Sequence, residues 1–498
     1  VYLGAGSYGF QAGAQQFFRT LVEDLTVEQG ALLAGMIRTP THLNPRRNPG
    51  PATARRNAVL RGMAEEGYLD RAEAERLASI PVDVAPPWDR SPSDPYVVEA
   101  VKREFLNNET FGETVSDRIE LLFAGGLGVH TTVRADLQDA SERVVATALP
   151  SNDGPTAALV ALHPVTGGIL ALHGGRDFEE LQFDLATQGR RQPGSALKPV
   201  TAAAALQQGL PLGISLPGNG PLTIPVQGAV EPFTVDNFAG LDHGTVDLRG
   251  ALVNSVNTAF ADLIVESGVD RTIDLADRMG INRDRAFGPP NTWGPAIVLG
   301  GLTHGVTPLE MASVYSVFAN QGVRAVPHII EKVVDGDGQV IYQREPVGER
   351  VIDESVAAAM VDMLTDVVAR GTGTGAQFPG VQPLGKTGTT QDNADAWFIG
   401  AVPTVSTAVW VGHAEGHLPV PGMTGGSLPA TLWREFMQFA VADTDVPPFA
   451  DATADPAALP MAPPTPPPQP QPPPQPQPPP RPQPQPPGLP PATQPPAT

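Results

Sequence analysis

Two apolar segments constrain this chain more than anything else in it. TAALVALHPVTGGILALHGG begins at Thr156, and DAWFIGAVPTVSTAVWVGH begins at Asp395. Each is a pair of apolar runs around a short turn, the pattern of an antiparallel hairpin. Between them lie mostly helical stretches and long polar loops. Hairpins at both ends with helices between argue for an α+β domain and against a doubly wound parallel sheet. The expected architecture is an antiparallel sheet with helical clusters. No short-period repeat is visible.

The flanks read differently. Up to about Pro87 the pattern is helical. Thr26-Val27-Glu28-Gln29 has the form of a capping box before ALLAGMI, and Pro40 and Pro45 end that helix. ATARRNAVLRGMAEEG and DRAEAERLAS give two more helices. The Pro-, Asp- and Ser-rich stretch PVDVAPPWDRSPSDP reads as a linker. YVVEAVKREFL (helix), GVHTTV (strand) and RADLQDASERVVATAL (helix) then form a connector. The expected divisions are 1–87, 88–150, 151–446 and 447–498. The last is PPTPPPQPQPPP-like, where proline removes backbone donors and fixes φ. It reads as a disordered, extended tail, either a spacer or a docking segment for partner proteins.

Charge and composition exclude several functions. The 498 residues carry a formal charge of -21 and a pI of about 4.8, without the basic stripe of a general nucleic-acid binder. There is no cysteine, so disulfides, thiolate catalysis and Cys-based zinc sites are excluded. No apolar run is long enough to span a membrane. The chain opens VYLGAGSYGF, with no initiator Met or signal peptide, and reads as a segment of something longer.

Three short motifs carry candidate chemistry: Ser195-Ala196-Leu197-Lys198, Ser255-Val256-Asn257 and Lys386-Thr387-Gly388-Thr389. Each is weak alone, where Ser195 reads as a helix cap and Lys198 as a solvated surface residue. Together and in order they form a catalytic set named for penicillin-binding proteins and related lactamases. Ser195 follows an Arg191-Gln192-Pro193-Gly194 turn and opens an alanine-rich helical run. Lys198 then lies one turn on, on the same face. A serine hydroxyl needs a base to become a nucleophile, and a lysine serves only if burial or a nearby cation lowers its pKa. Lys386 is the candidate cation. NSVN interrupts a helical pattern, which suggests a loop presenting Ser255 for proton transfer and Asn257 for a substrate amide. Lys386 to Thr390 should lie on a strand, where Gly385 and Gly388 leave room for a ligand strand. There Thr387 and Thr389 offer hydroxyls to a carboxylate, and the Thr389 and Ser195 N–H groups can complete an oxyanion hole.

At this point RQPGSALKPV, NSVNTAF and GKTGTTQDNADAWFIGAVP resemble the transpeptidase domain of class A, bifunctional penicillin-binding proteins. The resemblance covers roughly Thr156 to Met437, and GGLGVHTTVRADLQDAS resembles that family's connector. GAGSYGFQAGAQQFF and LTVEQGALLAGMIRTPTHLNP resemble the last part of the family-51 glycosyltransferase domain, so residues 1–87 are expected to be its helical remnant. That domain's catalytic glutamates belong to motifs not found here. The resemblance implies acylation of Ser195 by stem peptides ending D-Ala-D-Ala, cross-linking by an acceptor amine, and inhibition by β-lactams. It implies no metal or organic cofactor. It places the protein at the extracytoplasmic face of a bacterial membrane, with any anchor upstream of Val1, and other cell-wall synthesis proteins as partners through the tail.

The remaining candidates read more simply. His413 and His417 have H-x-x-x-H spacing, but Gly416 and Pro419 oppose a helix, so a metal-free loop is expected. His173, His304 and His328 read as structural, and Trp397 and Trp410 as strand packing residues. Two alternatives stay open. A D,D-carboxypeptidase or lactamase would use the same serine with water as acceptor. A non-catalytic peptide-binding scaffold need not keep Ser195, Lys198 and Lys386.

Overall fold

The computed structural model describes residues 1–450 except 5, 6, 8, 87–93, 152–153, 227–230 and 443. The Pro-rich tail from 451 and the middle of the linker therefore lie outside the described residues.

Both hairpins form, and they meet in one five-stranded antiparallel sheet. Its order runs Leu384–Thr389, Asp395–Val402, Val405–Gly412, Thr156–Leu162, Ile169–His173. The two hairpins thus pair through their inner strands, with Trp410 opposite Ala158. Every residue of Thr156–Leu162, Asp395–Val402 and Val405–Gly412 is buried. That explains the near-continuous apolar runs, since both sheet faces are covered. The side chains still alternate. Ala158, Val160, Leu162, Trp397, Ile399 and Trp410 enter one core. Ala157, Leu159, Ala161, Phe398, Val409 and Val411 enter the other. The helices Ala135–Ala148 and Leu428–Ala440 supply the second core, with Trp433 fully buried. The helices Lys198–Gln207, Asn257–Ser267, Pro308–Ala319 and Glu354–Arg370 build the first.

Lys198–Gln207 is buried from Lys198 to Leu206. Its alanines let neighbouring helices approach closely, which is why this run holds few large side chains. Pro199 occupies the first turn, where its missing N–H costs no helical bond. Ser195 itself lies not in the α-helix but in a 3-10 turn, Gly194–Leu197, that leads into it.

The N-terminal helices Phe10–Phe18, Val27–Met36, Pro49–Glu65 and Arg71–Ser79 form separate small cores. Thr26 N–H donates to Gln29 Oε1 at 3.0 Å, as the capping-box pattern requires. In the connector, Pro95–Asn107 and Ala135–Ala148 are helical as expected. Val115–Ala124 forms a further helix that the sequence pattern passed over. Gly128–Thr131 pairs with Ile330–Val334, far along the chain. Among the described residues no helix is long and apolar enough to cross a membrane.

Candidate active site

The fold brings all three motifs together. The turn that carries Ser195 comes first. Gly194 has φ +56°, and a Cβ there would lie 2.7 Å from Thr389 O, so glycine is required where this turn meets the Lys386 strand. The Gln192 side chain grips the Leu302 backbone in both directions, donating to its carbonyl at 2.7 Å and accepting its N–H at 2.9 Å. Trp397 Nε1 donates to Gln192 O at 2.8 Å. Arg191 stacks over the Trp410 ring at 4.9 Å and donates to Ala414 O at 2.6 Å. The buried Tyr315 hydroxyl donates to Ala196 O at 2.9 Å. Ser195 is thereby fixed from several elements while its own side chain stays half-buried.

Lys198 is fully buried. Its Nζ lies 2.7 Å from Ser255 O, 2.7 Å from Asn257 Oδ1, 3.2 Å from Ser255 Oγ and 5.5 Å from the centre of the Phe260 ring. Burial holds its pKa well below the ordinary lysine value, and the nearby Lys386 charge adds to this. A neutral amine has two protons, and two acceptors at 2.7 Å account for both. The remaining contact, with Ser255 Oγ at 3.2 Å, then lies at its lone pair. No hydrogen bond joins Lys198 or Lys386 to Ser195 Oγ. The direct amine–hydroxyl bond suggested by the i, i+3 spacing is absent here, because Lys198 turns toward the second motif instead.

That motif is a loop between the helices Leu248–Val253 and Asn257–Ser267. Ser255 has φ +55°, a strained conformation for a residue with a Cβ. Asn237 stabilises the loop from outside. Its Oδ1 accepts the backbone N–H groups of Asn257 at 2.9 Å and Thr258 at 3.2 Å. This works as a helix cap supplied from a distant segment. Asn257 donates one Nδ2 proton to Asp236 O at 2.9 Å.

Lys386 enters from the edge strand, also fully buried. It donates to Ser255 Oγ at 2.9 Å and to Thr387 O at 3.2 Å. Burial lowers its pKa to about 7. The space beside Gly385 and Gly388 is not open to a ligand. A Cβ on Gly388 would meet Pro193 O at 2.2 Å, and one on Gly385 would meet the Phe398 ring at 2.7 Å. These glycines admit the protein's own Ser195 turn and core. Among the described residues no other strand pairs with the outer edge of Leu384–Thr389. Thr387 Oγ1 lies 2.8 Å from Thr372 Oγ1, and Thr389 Oγ1 accepts the Gly425 N–H at 3.0 Å.

The sequence patterns missed Gln192, Asn237, Tyr315 and Thr372, and assigned Trp397 to packing alone. Only Trp397 carried a signal, since a buried indole N–H needs an acceptor. His417 Nδ1 lies 3.2 Å from the buried Asp395 carboxylate, and His413 gives only its backbone carbonyl, to Arg191. His173 and His328 are buried, whereas His304 is exposed. Among the described residues no three metal-ligating side chains cluster.

Comparison with known proteins places this arrangement. Residues 157–438 match the penicillin binding protein transpeptidase domain, and residues 1–64 match the transglycosylase family. The chain belongs to the penicillin-binding protein transpeptidase family. Among its relatives, penicillin-binding protein 1A of Mycolicibacterium smegmatis is 34% identical over 91% of this chain and 59% of its own length. The protein of the same name from Mycobacterium tuberculosis is 33% identical over 91% and 56%. The chain thus spans less than two thirds of either relative. The structure of PonA1 from Mycobacterium tuberculosis in complex with penicillin V aligns with TM-score 0.64 and 30% identity, over 75% of this chain and 99% of that one. Penicillin-Binding Protein 1A from Haemophilus influenzae shares the fold, with TM-score 0.71 and 24% identity over 90% and 85%.

Proposed function

We propose that this chain is a serine-type D,D-transpeptidase that acts on peptidoglycan stem peptides ending D-Ala-D-Ala and is acylated by β-lactams at Ser195. The observation that carries this is the convergence of two buried amines on Ser255 Oγ, one of them three residues from Ser195. Burying two lysine side chains side by side costs stability, because each must give up its proton or sit charged in a dry interior, and a scaffold would gain nothing from it.

In this scheme Ser195 Oγ attacks the carbonyl carbon of the penultimate D-Ala, and its proton passes to the neutral Lys198. The new C–O bond forms as negative charge develops on the carbonyl oxygen. That oxygen faces the Ser195 N–H, which has no helical acceptor in a first turn, and the Thr389 N–H. Ser255, bonded to both lysines, returns the proton to the departing amine as the C–N bond breaks and D-Ala leaves. An acceptor amine then attacks the ester. Its nitrogen bonds to the carbonyl carbon as the bond from that carbon to Ser195 Oγ breaks, and the proton lost by the amine returns to Ser195 Oγ. Asn257 keeps one Nδ2 proton for a substrate carbonyl, and Thr387 and Thr389 face the terminal carboxylate.

The longer protein also polymerises glycan strands, a reading supported by the transglycosylase match. It works at the extracytoplasmic face of the bacterial membrane, as the family's cell-wall substrates require. The direct test is labelling with a fluorescent penicillin, which Ser195→Ala should abolish. Folded wild-type protein that takes no label would refute the acyl-enzyme. A donor peptide with and without an amine acceptor then separates cross-linking from hydrolysis. Free acid alone as product would identify a carboxypeptidase.

A further inference from the structure

Thr372 lies outside the three motifs, on the turn after the helix Glu354–Arg370. Its backbone N–H donates to Val253 O at 3.3 Å, two residues before Ser255. Its hydroxyl lies 2.8 Å from Thr387 Oγ1. The turn is therefore held between the second and third motifs, with its side chain against the strand that receives the ligand.

Proton accounting gives that contact a direction. A threonine hydroxyl has one proton to donate and two acceptor positions. Thr389 Oγ1 accepts the Gly425 N–H at 3.0 Å, which leaves its proton for a ligand. Thr387 Oγ1 lies 3.3 Å from Lys386 Nζ, a donor, so one acceptor position faces the lysine. The Thr372–Thr387 bond can run either way while the site is empty. A carboxylate can only accept. Once one sits on the strand and takes the Thr387 proton, the Thr372–Thr387 bond persists only with Thr372 as its donor.

We propose that Thr372 is a positioning residue for the donor carboxylate: its hydroxyl donates to Thr387 Oγ1 and thereby commits the Thr387 proton to the terminal carboxylate of a stem peptide or β-lactam. The inference rests on acylation at Ser195. It adds a requirement for a free carboxylate that is set from outside the motifs.

The test compares acylation rate constants for benzylpenicillin and its methyl ester in wild type, Thr372→Val and Thr372→Ser. Valine keeps the shape without the hydroxyl, and serine restores the donor. Losing one such hydrogen bond should slow acylation by the free acid about 3- to 10-fold. The ester, which lacks the negative charge, should change by less than about twofold, and Thr372→Ser should recover most of the free-acid rate. An equal loss on acid and ester, no loss on the acid, or a serine variant as slow as valine would each overturn the proposal. Wild-type protein acylated by neither compound would instead remove the Ser195 reading, and this one with it.

Discussion

Replacing Lys386 with methionine tests the site's energetics and chemistry at once. Lys386 is fully buried, and its pKa falls from the ordinary 10.5 to about 7. At about 1.4 kcal/mol per pH unit, that displacement corresponds to about 5 kcal/mol of stability forgone when the solution is acidic enough to protonate both states. The sign follows from proton counting. Between pH 7 and 10.5 the unfolded chain holds this proton and the folded chain does not, so wild-type stability rises with pH across that window. Below pH 7 the penalty is complete, and above 10.5 it is absent. Methionine removes the penalty but also the bonds to Ser255 Oγ and Thr387 O, worth about 1 kcal/mol each. Lys386→Met should therefore be more stable by about 2–3 kcal/mol at pH 6, with the advantage gone by pH 10. Urea denaturation at pH 6, 8 and 10, followed by fluorescence of the buried Trp397, Trp410 and Trp433, measures this. Penicillin acylation should meanwhile collapse. Any residual acylation should have its rising limb at higher pH, because Lys198 no longer feels a neighbouring cation. A stability difference independent of pH would refute the reasoning.

Three further outcomes follow from the same geometry. Gly388→Ala puts a Cβ 2.2 Å from Pro193 O, so the nucleophile turn must shift; penicillin labelling should slow at least about tenfold, and an unchanged rate would show that the turn yields freely. Trp397→Phe leaves Gln192 O without its indole donor and should cost about 1–3 kcal/mol in urea denaturation, with slower acylation; loss of stability without slower acylation would confine Trp397 to packing. Glu142 on the helix Ala135–Ala148 has its pKa raised to about 7, first by burial and then by the neighbouring Asp94 carboxyl. The folded state then holds a proton that the unfolded state has lost, so stability declines as pH rises from about 4.5 to 7. After allowance for solvent screening, Glu142→Gln should stabilise by on the order of 1 kcal/mol at pH 8 and leave pH 4 unchanged, which melting curves at the two pH values would check.

The sheet was legible because its signal is local. Each hairpin carries two apolar runs and a turn within about twenty residues, and burial on both faces only strengthens the pattern. The motifs were legible for a related reason: S-x-x-K, S-x-N and K-T-G each concentrate the candidate reacting groups in a few consecutive positions. What stayed hidden was the distant partner of each local feature. Gly128–Thr131 read correctly as a strand, but its pairing with Ile330–Val334 leaves no mark in either segment. The glycines beside Lys386 read as room for a ligand, but the sequence does not say that Pro193 and Phe398 fill it. Spacing placed Lys198 on the face of Ser195. It did not show that Ser255 O and Asn257 Oδ1 would take both protons of the amine.

The hidden residues have a common function. Asn237, Tyr315 and Thr372 each contact a motif from another part of the chain, Gln192 and Trp397 brace the turn that leads into Ser195, and four of the five act on backbone groups. Thr372 is the exception, meeting the Thr387 side chain. A backbone carbonyl or N–H is offered whatever side chain is attached, so such a contact imposes no pattern on the motif it stabilises. The need for these contacts is nonetheless built into the motifs. Ser255 sits at φ +55°, and two amines share a dry interior. Each is unfavourable alone and persists only where surrounding structure over-determines it. The three motifs therefore supply the atoms proposed to react, while the five contacts keep those atoms in a strained, desolvated arrangement that would otherwise relax. Substitutions among the five should thus impair acylation while leaving every motif intact.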